Sequence, residues 1–552
     1  MPDGMPEGIS DGQILGIEGT AWNLSASVFG EDLISLYSNP YSPPTGGIHP
    51  REAAQHHASV LKEVVSKALS ETDLDKIAGI AFSQGPGLGP CLRTVGTAAR
   101  TLALTLGVPL IGVNHCVAHV EIGRFACGCR DPIVLYASGA NTQVLGFLRS
   151  RYRIFGETLD IGLGNSIDKF ARSKGLPHPG GPLVEKYARE GNPISLPYTV
   201  KGMDLAFSGL MSAAKDSKAP IEDVCAGYQE TAFAMCVEVT ERALAHSGKD
   251  EVLLVGGVGA NQRLQDMLRE MCEERGARFY VPERKYIGDN GAMIAYTGKI
   301  MLEAGQTLSL EDSAVNPNFR SDDVEVRWRS DTGNLSYERA NRIECGNARG
   351  AEAVVTLCDN GKNVLKRRLS KGYRTAELDR RLITERTRAE ARMISLARRC
   401  GVATPIIRDI THDSIVMENI RGSMLKLVLN DENVYNAGVA VGKLHGGGII
   451  HGDLTTSNII IGDNPAKDST KDSAGDSAAK PYLIDFGLSY ISNELESRGV
   501  DLHVFFRTLE STAPEMSHLL KSFSEGYAAA FKDAADVLER VDEIKMRGRY
   551  LH

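Results

Sequence analysis

The sequence has no run of eighteen apolar residues, the length that a membrane-crossing helix needs. Its opening residues, Met1 to Gln13, are polar and rich in Gly and Pro, and they lack the basic-then-apolar order of a secretory signal. Both absences point to a cytoplasmic protein with no membrane partner. Positive charge is not in excess either. The formal net charge is −8, so nucleic-acid binding is not predicted from composition, and any phosphate contact must come from a local basic patch. The ten cysteines are scattered. The only close pair, Cys127 and Cys129, has no second half to complete a metal-ligand motif. Buried or free thiols in a reducing compartment are expected. No long internal repeat is visible.

What is present is an ordinary globular composition, 42% hydrophobic and 24% charged. At 552 residues the chain is too long for one core, and roughly 150 residues per domain suggests three or four units. Ile14–Gly19 and residues 22–29 read as strands. Residues 49–69 have helical periodicity. Residues 77–83 form a buried-type strand running into Gln84-Gly-Pro-Gly-Leu-Gly89, which is loop chemistry, with a helix from Thr94 to Leu106. Further strands, at 110–113, 133–137 and 252–255, alternate with helices. Two of them close on Gly-rich turns, Ser138-Gly-Ala-Asn-Thr142 and Gly256-Gly-Val-Gly-Ala-Asn261. Strands alternating with helices argue for an α/β architecture, whose strand-end turns bind ligands. Residues 316–336, with Asn316-Pro-Asn and Asp331-Thr-Gly-Asn, are polar and read as a linker. Residues 466–480, rich in Ala, Asp, Lys and Ser, read as a solvated loop insertion.

His115 and His119 stand four apart, so on a helix both imidazoles share one face and can share a metal. Tyr136 follows on the next strand, and Asp289 lies in a Gly288-Asp-Asn-Gly291 turn. Two His with oxygen donors suit an open, catalytic Fe, Zn or Mn site better than a closed structural one.

Six motifs occur in order: Asn114-His-Cys-Val-Ala-His119, Tyr136-Ala-Ser-Gly-Ala-Asn-Thr142, Ile161-Gly-Leu-Gly-Asn-Ser-Ile-Asp-Lys169, Pro179-Gly-Gly-Pro182, Phe207-Ser-Gly209 and Gly256-Gly-Val-Gly-Ala-Asn261. Together they resemble the archaeal and eukaryotic tRNA adenosine threonylcarbamoyltransferases over roughly residues 10–320. The resemblance implies a duplicated actin/sugar-kinase/Hsp70-type ATPase fold. It implies transfer of a threonylcarbamoyl group from threonylcarbamoyl-AMP to the exocyclic amine of the adenosine beside the anticodon, in tRNAs reading codons that start with A. By the same resemblance, His115, His119, Tyr136 and Asp289 would hold one divalent transition metal, iron ahead of zinc. Tyr136, Ala137, Ser138, Gly139, Ala140, Asp168, Gly181, Glu185 and Asn261 would hold the adenylate. Ala140 departs from the family, which often has a second Gly there, and Ala tolerates positive φ less well.

The C-terminal part carries His451-Gly-Asp-Leu-Thr-Thr-Ser-Asn458 and then Asp485-Phe-Gly487, the spacing of a kinase catalytic loop, with Gly in place of the usual Arg. Asp453 would orient or deprotonate an acceptor hydroxyl, while Asn458 and Asp485 would hold Mg²⁺ against ATP. Lys366 would anchor the phosphates, paired with Glu390 ahead of Glu377. The loop from Gly346 through Gly350 and Ala351 to Ala353 replaces the usual Gly-rich cover. Asp485 is followed by Asp501, a candidate helix-stabilising residue, with no A-P-E segment between them, so a groove for extended protein substrates looks absent. These features resemble the small, bilobal, Rio-like α+β kinase/ATPase of the KEOPS complex, which in archaea can be fused to the transferase. The resemblance implies further KEOPS subunits as partners: a small dimerising one on the transferase side and a kinase-binding one on the other. Residues 1–325 are thus expected as the transferase, 326–340 as a linker and 341–552 as the kinase-like domain.

Lys366–Arg399 holds twelve Lys or Arg against four Asp or Glu, either a solvated helical face or a tRNA-backbone surface. Two other functions are weighed. A metal-dependent glycoprotease would need the H-E-x-x-H glutamate, but Cys116 follows His115. A nucleotide-binding scaffold attached to a free-standing Ser/Thr kinase would leave tRNA modification untouched when Tyr136 or Asn261 is changed.

Overall fold

Each apolar run that closes on a Gly-rich turn is a strand in the computed structural model, which describes residues 12–43, 47–148, 150–330, 347–462, 480–513 and 515–550. Gln13–Glu18 (β1), Asn23–Phe29 (β2) and Leu33–Pro40 (β3) form an antiparallel meander. Ile77–Gly85 (β4) and Leu110–Asn114 (β5) join β1 in parallel, giving the order β3-β2-β1-β4-β5. The plan then recurs. Ile133–Ala137 (β6), Thr142–Leu148 (β7) and Arg151–Glu157 (β8) form a second meander. After a two-strand ribbon, Val200–Lys201 (β9) with Asp204–Leu205 (β10), the strands Glu251–Val255 (β11) and Arg278–Tyr280 (β12) extend β6 in parallel. The second sheet runs β8-β7-β6-β11-β12, matching the first strand for strand. The duplication is invisible as sequence repetition because topology depends on where apolar runs fall, not on which apolar residue fills them.

Helices fill the connections: Pro50–Leu69 (α1), Gly89–Leu106 (α2), His115–Cys127 (α3), Leu163–Ser173 (α4), Gly181–Ala188 (α5), Ser208–Asp216 (α6), Ile221–Ser247 (α7), Gln262–Arg275 (α8), Arg284–Ile287 (α9) and Gly291–Glu303 (α10). α2 begins at Gly89, five residues before the Thr94 expected from sequence. Pro90 sits in its first turn, where a missing N–H leaves no hydrogen bond unmade, so Gly-Pro chemistry opens a helix here. α10 returns to the first sheet. Its Met293, Ile294 and Ala295 share one core with Ile14, Phe29 and Ala81. A Cβ on Gly16 of β1 would stand 2.2 Å from Ala295 N, so strand and helix backbones touch.

The chain divides into two compact units, not three or four. Unit 1 comprises Met1–Arg342 with Gly372–Arg374, and unit 2 the remainder. The stretch expected as linker, 326–340, starts with residues built into unit 1. Val326 is buried, and Trp328 Nε1 donates to the buried Glu121 carboxylate at 2.9 Å. Residues 331–340 lie outside the described residues, as do Gly346 and most of the 466–480 insertion.

Unit 2 opens with the antiparallel strands Asn347–Arg349 (β13), Ala353–Cys358 (β14), Asn363–Arg368 (β15), Ile407–Ile410 (β16) and Ser414–Glu418 (β17), in the order β13-β14-β15-β17-β16. The long helix Ala376–Arg399 (α11) connects β15 to β16. A mainly helical part follows. Asp431–Gly446 (α12) packs with helices Leu495–Thr512 and His518–Ala530 around Val441, Leu444, Phe505, Phe523 and Tyr527. Among the described residues, no helix is long and apolar enough to cross a membrane.

Candidate metal and nucleotide sites

α3 starts at His115 because Asn114 caps it, its side-chain oxygen accepting from Val117 N at 3.0 Å. That start places His115 and His119 one turn apart, with ring centroids separated by 4.8 Å. The turn before α10 brings up Asp289. Its Oδ1 lies 3.2 Å from His119 Nε2 and 3.5 Å from His115 Nε2. One ligand atom from each of the three residues falls within 4.8 Å of the others. Metal–ligand bonds of about 2.0–2.2 Å leave adjacent donor atoms roughly 3–3.5 Å apart, so the two His–Asp separations fit a shared ion. Tyr136, at the end of β6, is buried, with its ring centroid 5.1 Å from that of His119.

Sequence reasoning missed Glu18. It ends β1 fully buried, and its Oε2 lies 3.1 Å from His115 Nδ1. Its Oε1 accepts from Thr20 N at 2.8 Å and Thr20 Oγ1 at 2.6 Å. A lone acid at the end of an apolar run was the only signal. The carboxylate fixes the His115 tautomer and turns Nε2 toward Asp289, the outer-shell arrangement of metal-binding histidines. Asn23 adds a second tie, Nδ2 donating to Asp289 O at 2.8 Å.

Burial alone would depress the His115 pKa, but Glu18 and Asp289 overcome it and raise it to about 9. Burial keeps the His119 pKa below its ordinary value. For Asp289 burial pushes upward, and the hydrogen bond from His119 together with the His115 charge outweighs it, so the carboxyl titrates low. Burial, then the neighbouring Cys116 and Asp289, push the Tyr136 hydroxyl well up.

The two Gly-rich turns meet beside this cluster. Gly256 has φ +91°, and a Cβ there would stand 2.4 Å from Ala137 O. Ser138 O and Gly139 O accept from Gly164 N and Asn165 N at 3.0 and 2.8 Å, which docks the start of α4 against the turn. Ala140 is not at positive φ, so its methyl costs nothing and the expected strain is absent. Asn261 is committed locally. Its Oδ1 caps α8 through Arg263 N and Leu264 N, and its Nδ2 donates to Gln229 Oε1. Glu185 joins that helix start, accepting from Gln262 N at 3.2 Å. Gly181 opens α5 with free space around it. Asp168 anchors the loop before α5, accepting from Gly180 N at 2.7 Å.

In unit 2, Lys366 Nζ lies 2.7 Å from Glu390 Oε1 and 2.6 Å from Asp485 Oδ1. The helix partner is Glu390, buried on α11, whereas Glu377 is exposed. Asp485 has φ +61°, which turns its carboxylate toward Lys366. For Asp485 burial would raise the pKa, and Lys366 reverses this and holds it low. Asn458 Nδ2 donates to Asp453 O and Oδ2 at 2.8 and 3.0 Å, so these two residues share one loop. Asp501, expected to stabilise a helix, turns its carboxylate to the catalytic loop instead. It accepts from His451 N at 2.7 Å and Gly452 N at 2.9 Å, and lies 3.1 Å from His445 Nε2. It thereby holds the backbone of the Asp453 loop. Gly350 N donates to Ala353 O, closing the turn that contains Ala351. The basic run Lys366–Arg399 is split: Lys366, Arg368 and Lys371 are buried, while Arg380, Arg388, Arg392 and Arg399 are exposed on α11.

The sequence model of the tRNA N6-adenosine threonylcarbamoyltransferase family matches residues 33–296. Full-length relatives carry names for bifunctional tRNA threonylcarbamoyladenosine biosynthesis. The Methanoculleus marisnigri protein is 66% identical over 551 residues, covering 100% of both chains. That of Methanocorpusculum labreanum is 64% identical, covering 98% of this chain and 99% of its own. Among solved structures, the Rio2 kinase of Chaetomium thermophilum in complex with ADP/Mg²⁺-phosphoaspartate aligns over 38% of this chain and 71% of its own at 15% identity, with a TM-score of 0.27.

Proposed function

Because this chain belongs to the family of bifunctional tRNA threonylcarbamoyladenosine biosynthesis proteins, we propose that unit 1 transfers the threonylcarbamoyl group from threonylcarbamoyl-AMP to the exocyclic amine of the adenosine adjacent to the anticodon, in tRNAs reading codons that start with A. The observation that carries this reading is the His115–His119–Asp289 cluster, set beside the Ser138–Thr142 turn. Tyr136, whose ring lies beside that of His119, would be a fourth, oxygen donor. A divalent metal, iron ahead of zinc, would supply positive charge to polarise the carbamoyl carbonyl or to hold the phosphate of the leaving AMP. The protein's own residues do the rest. Glu18 holds the Nδ1 side of His115 and so leaves Nε2 as the donor. The Tyr136–Ala140 and Asn261 turns border the adenylate, and Asp168 and Glu185 are acceptors suited to ribose hydroxyls. The acceptor base must leave its stack to react, which an anticodon loop permits.

Unit 2 is the regulatory half in this reading, an atypical Ser/Thr kinase/ATPase that takes ATP with Mg²⁺. Asp453 would orient the attacking hydroxyl or water, Asn458 and Asp485 would hold Mg²⁺, and Lys366 with Glu390 would anchor the phosphates. The exposed arginines of α11 offer phosphate contacts to tRNA, which gives a salt-dependent affinity. The setting is the cytoplasm, with further KEOPS subunits as partners.

Reconstitution with threonylcarbamoyl-AMP, followed by mass spectrometry of tRNA nucleosides, tests both halves. His115→Ala abolishes transfer, while Asp485→Ala leaves metal content intact. Transfer that survives loss of both His115 and His119 overturns the metal assignment.

A further inference from the structure

Six charged side chains of alternating sign run in one line through the nucleotide site of unit 2. Arg386 Nη1 lies 2.9 Å from Glu352 Oε1. The second Glu352 oxygen accepts from Arg368 Nη1 at 2.8 Å. Arg368 Nη2 reaches on to Glu390 Oε2 at 2.6 Å. Glu390 Oε1 meets Lys366, and Lys366 meets Asp485. Each interior carboxylate thus places its two oxygens on two different cations. Lys366, Arg368 and Glu390 are buried, so these pairs are little screened by solvent. Only the Lys366–Glu390–Asp485 end belongs to the kinase motif. Arg368 and Arg386 belong to none of the motifs, and Glu352 is the acidic residue of the Gly346–Ala353 loop that replaces the usual Gly-rich cover.

The position of Glu352 gives the line its meaning. It sits in the turn between β13 and β14, the place where a kinase covers its phosphates. The turn is tied to the far side of the sheet as well. Leu369 N donates to Glu352 O at 3.0 Å, and Lys371 Nζ donates to Ala351 O. In a long kinase such elements are brought into register when a modified activation segment supplies charge. Here Asp485 is followed within one short stretch by the helix Leu495–Thr512, with no such segment between.

We propose that Glu352 and Arg368 are positioning residues of the nucleotide site: they fasten the β13–β14 turn to α11 through Glu390, and so hold Lys366, Asp485 and the phosphate-facing turn in one arrangement by standing ion pairs, without covalent activation. This rests on the reading of unit 2 as an ATP-using domain. Arg368 is suited to the task because its guanidinium is a rigid fork that serves two carboxylates at once, whereas a lysine is a single point charge.

The test uses the full chain, with a fluorescent ATP analogue for binding and Mg²⁺-dependent ATP turnover for rate. Arg368→Gln and Glu352→Gln are expected to lower kcat/KM for ATP by about 100-fold, the scale of an ångström-size misplacement of a reacting group. Arg368→Lys recovers only part of that. Arg386→Gln, one link further out, costs less than either, so the loss declines with distance from Lys366. Circular dichroism and the unfolding midpoint separate this order from general loss of fold. Wild-type ATP kinetics in Arg368→Gln and Glu352→Gln overturn the proposal while leaving the ATPase reading intact. Absence of Mg²⁺-ATP binding by the wild-type chain overturns that reading, and the proposal with it.

Discussion

Glu18 and His115 face each other at 3.1 Å where neither is exposed to solvent by more than a few per cent. The pair joins the end of β1 to the start of α3, and it decides which nitrogen of His115 points at Asp289. Removing the carboxylate frees the imidazole to rotate and to change tautomer. Glu18→Ala is therefore expected to weaken metal retention by roughly 10–100-fold. Glu18→Gln keeps an acceptor oxygen and loses less. Metal content after dialysis against a graded chelator reads the difference. Equal retention in all three proteins would remove Glu18 from the site.

Glu121 is the hub of a second buried network. It accepts from Arg124 Nη1 at 2.6 Å, Tyr152 Oη at 2.6 Å and Trp328 Nε1 at 2.9 Å. Glu121→Ala takes the acceptor from Tyr152 and Trp328 and the carboxylate from Arg124, which keeps its bonds to Arg130 O, at a cost of about 3 kcal/mol. Glu121→Gln preserves part of the bonding, at about 1–3 kcal/mol. Urea unfolding followed by the fluorescence of the two tryptophans, Trp22 and Trp328, measures both, and unchanged midpoints contradict the assignment.

His57 is fully buried on α1. Burial, with His56 adding and Glu18 opposing, lowers its pKa to about 4. The folded state thus keeps this ring neutral at a pH where the unfolded chain, with a pKa near 6.5, takes up a proton. Its share of stability is complete above pH 6.5 and is lost as pH falls toward 4, by about 3 kcal/mol. Replacing it as His57→Leu should flatten the stability curve over that window relative to wild type. Parallel curves for the two proteins would sink the argument.

Gly16 is where β1 and α10 come closest, a Cβ there standing 2.2 Å from a backbone nitrogen. Backbone cannot swing aside as a flexible side chain can. Gly16→Ala is expected to destabilise unit 1 by about 1–3 kcal/mol or more. It should also loosen Asp289, which lies just before that helix, so metal retention and the thermal midpoint should fall together. A variant with normal values of both would show that the contact relaxes freely.

Much of this was legible in the sequence, and the failures have physical causes. The His115/His119 spacing and the Gly-rich strand ends are local patterns, and the structure brings His115, His119 and Asp289 together. Lys366 and Asp485 were likewise readable from their motifs, whereas Glu390 was one of two candidates, and only the folded contact with Lys366 separates it from Glu377. Glu18 was not, since nothing in one residue at the end of an apolar run says that its carboxylate faces a helix a hundred residues on. The segment that ends in Trp328 reads as linker because polar residues and turn signals such as Asn316-Pro-Asn dominate its surroundings. Its tryptophan instead satisfies a buried acid. Glu352 stands in the turn just before β14 and Arg368 ends β15, and their pairing depends on the Ala353–Arg368 register that only the folded sheet supplies.

The return of α10 to the first sheet also sets a timetable. His115 and His119 leave the ribosome well before Asp289, by roughly 10–35 s at ordinary rates of synthesis. Throughout that interval the nascent chain carries both imidazoles and the Glu18 carboxylate but not the third ligand. In the proposed site, metal capture would therefore be a late event in the birth of this protein, closed by one of the last helices of unit 1 and not by the helix that carries the histidines.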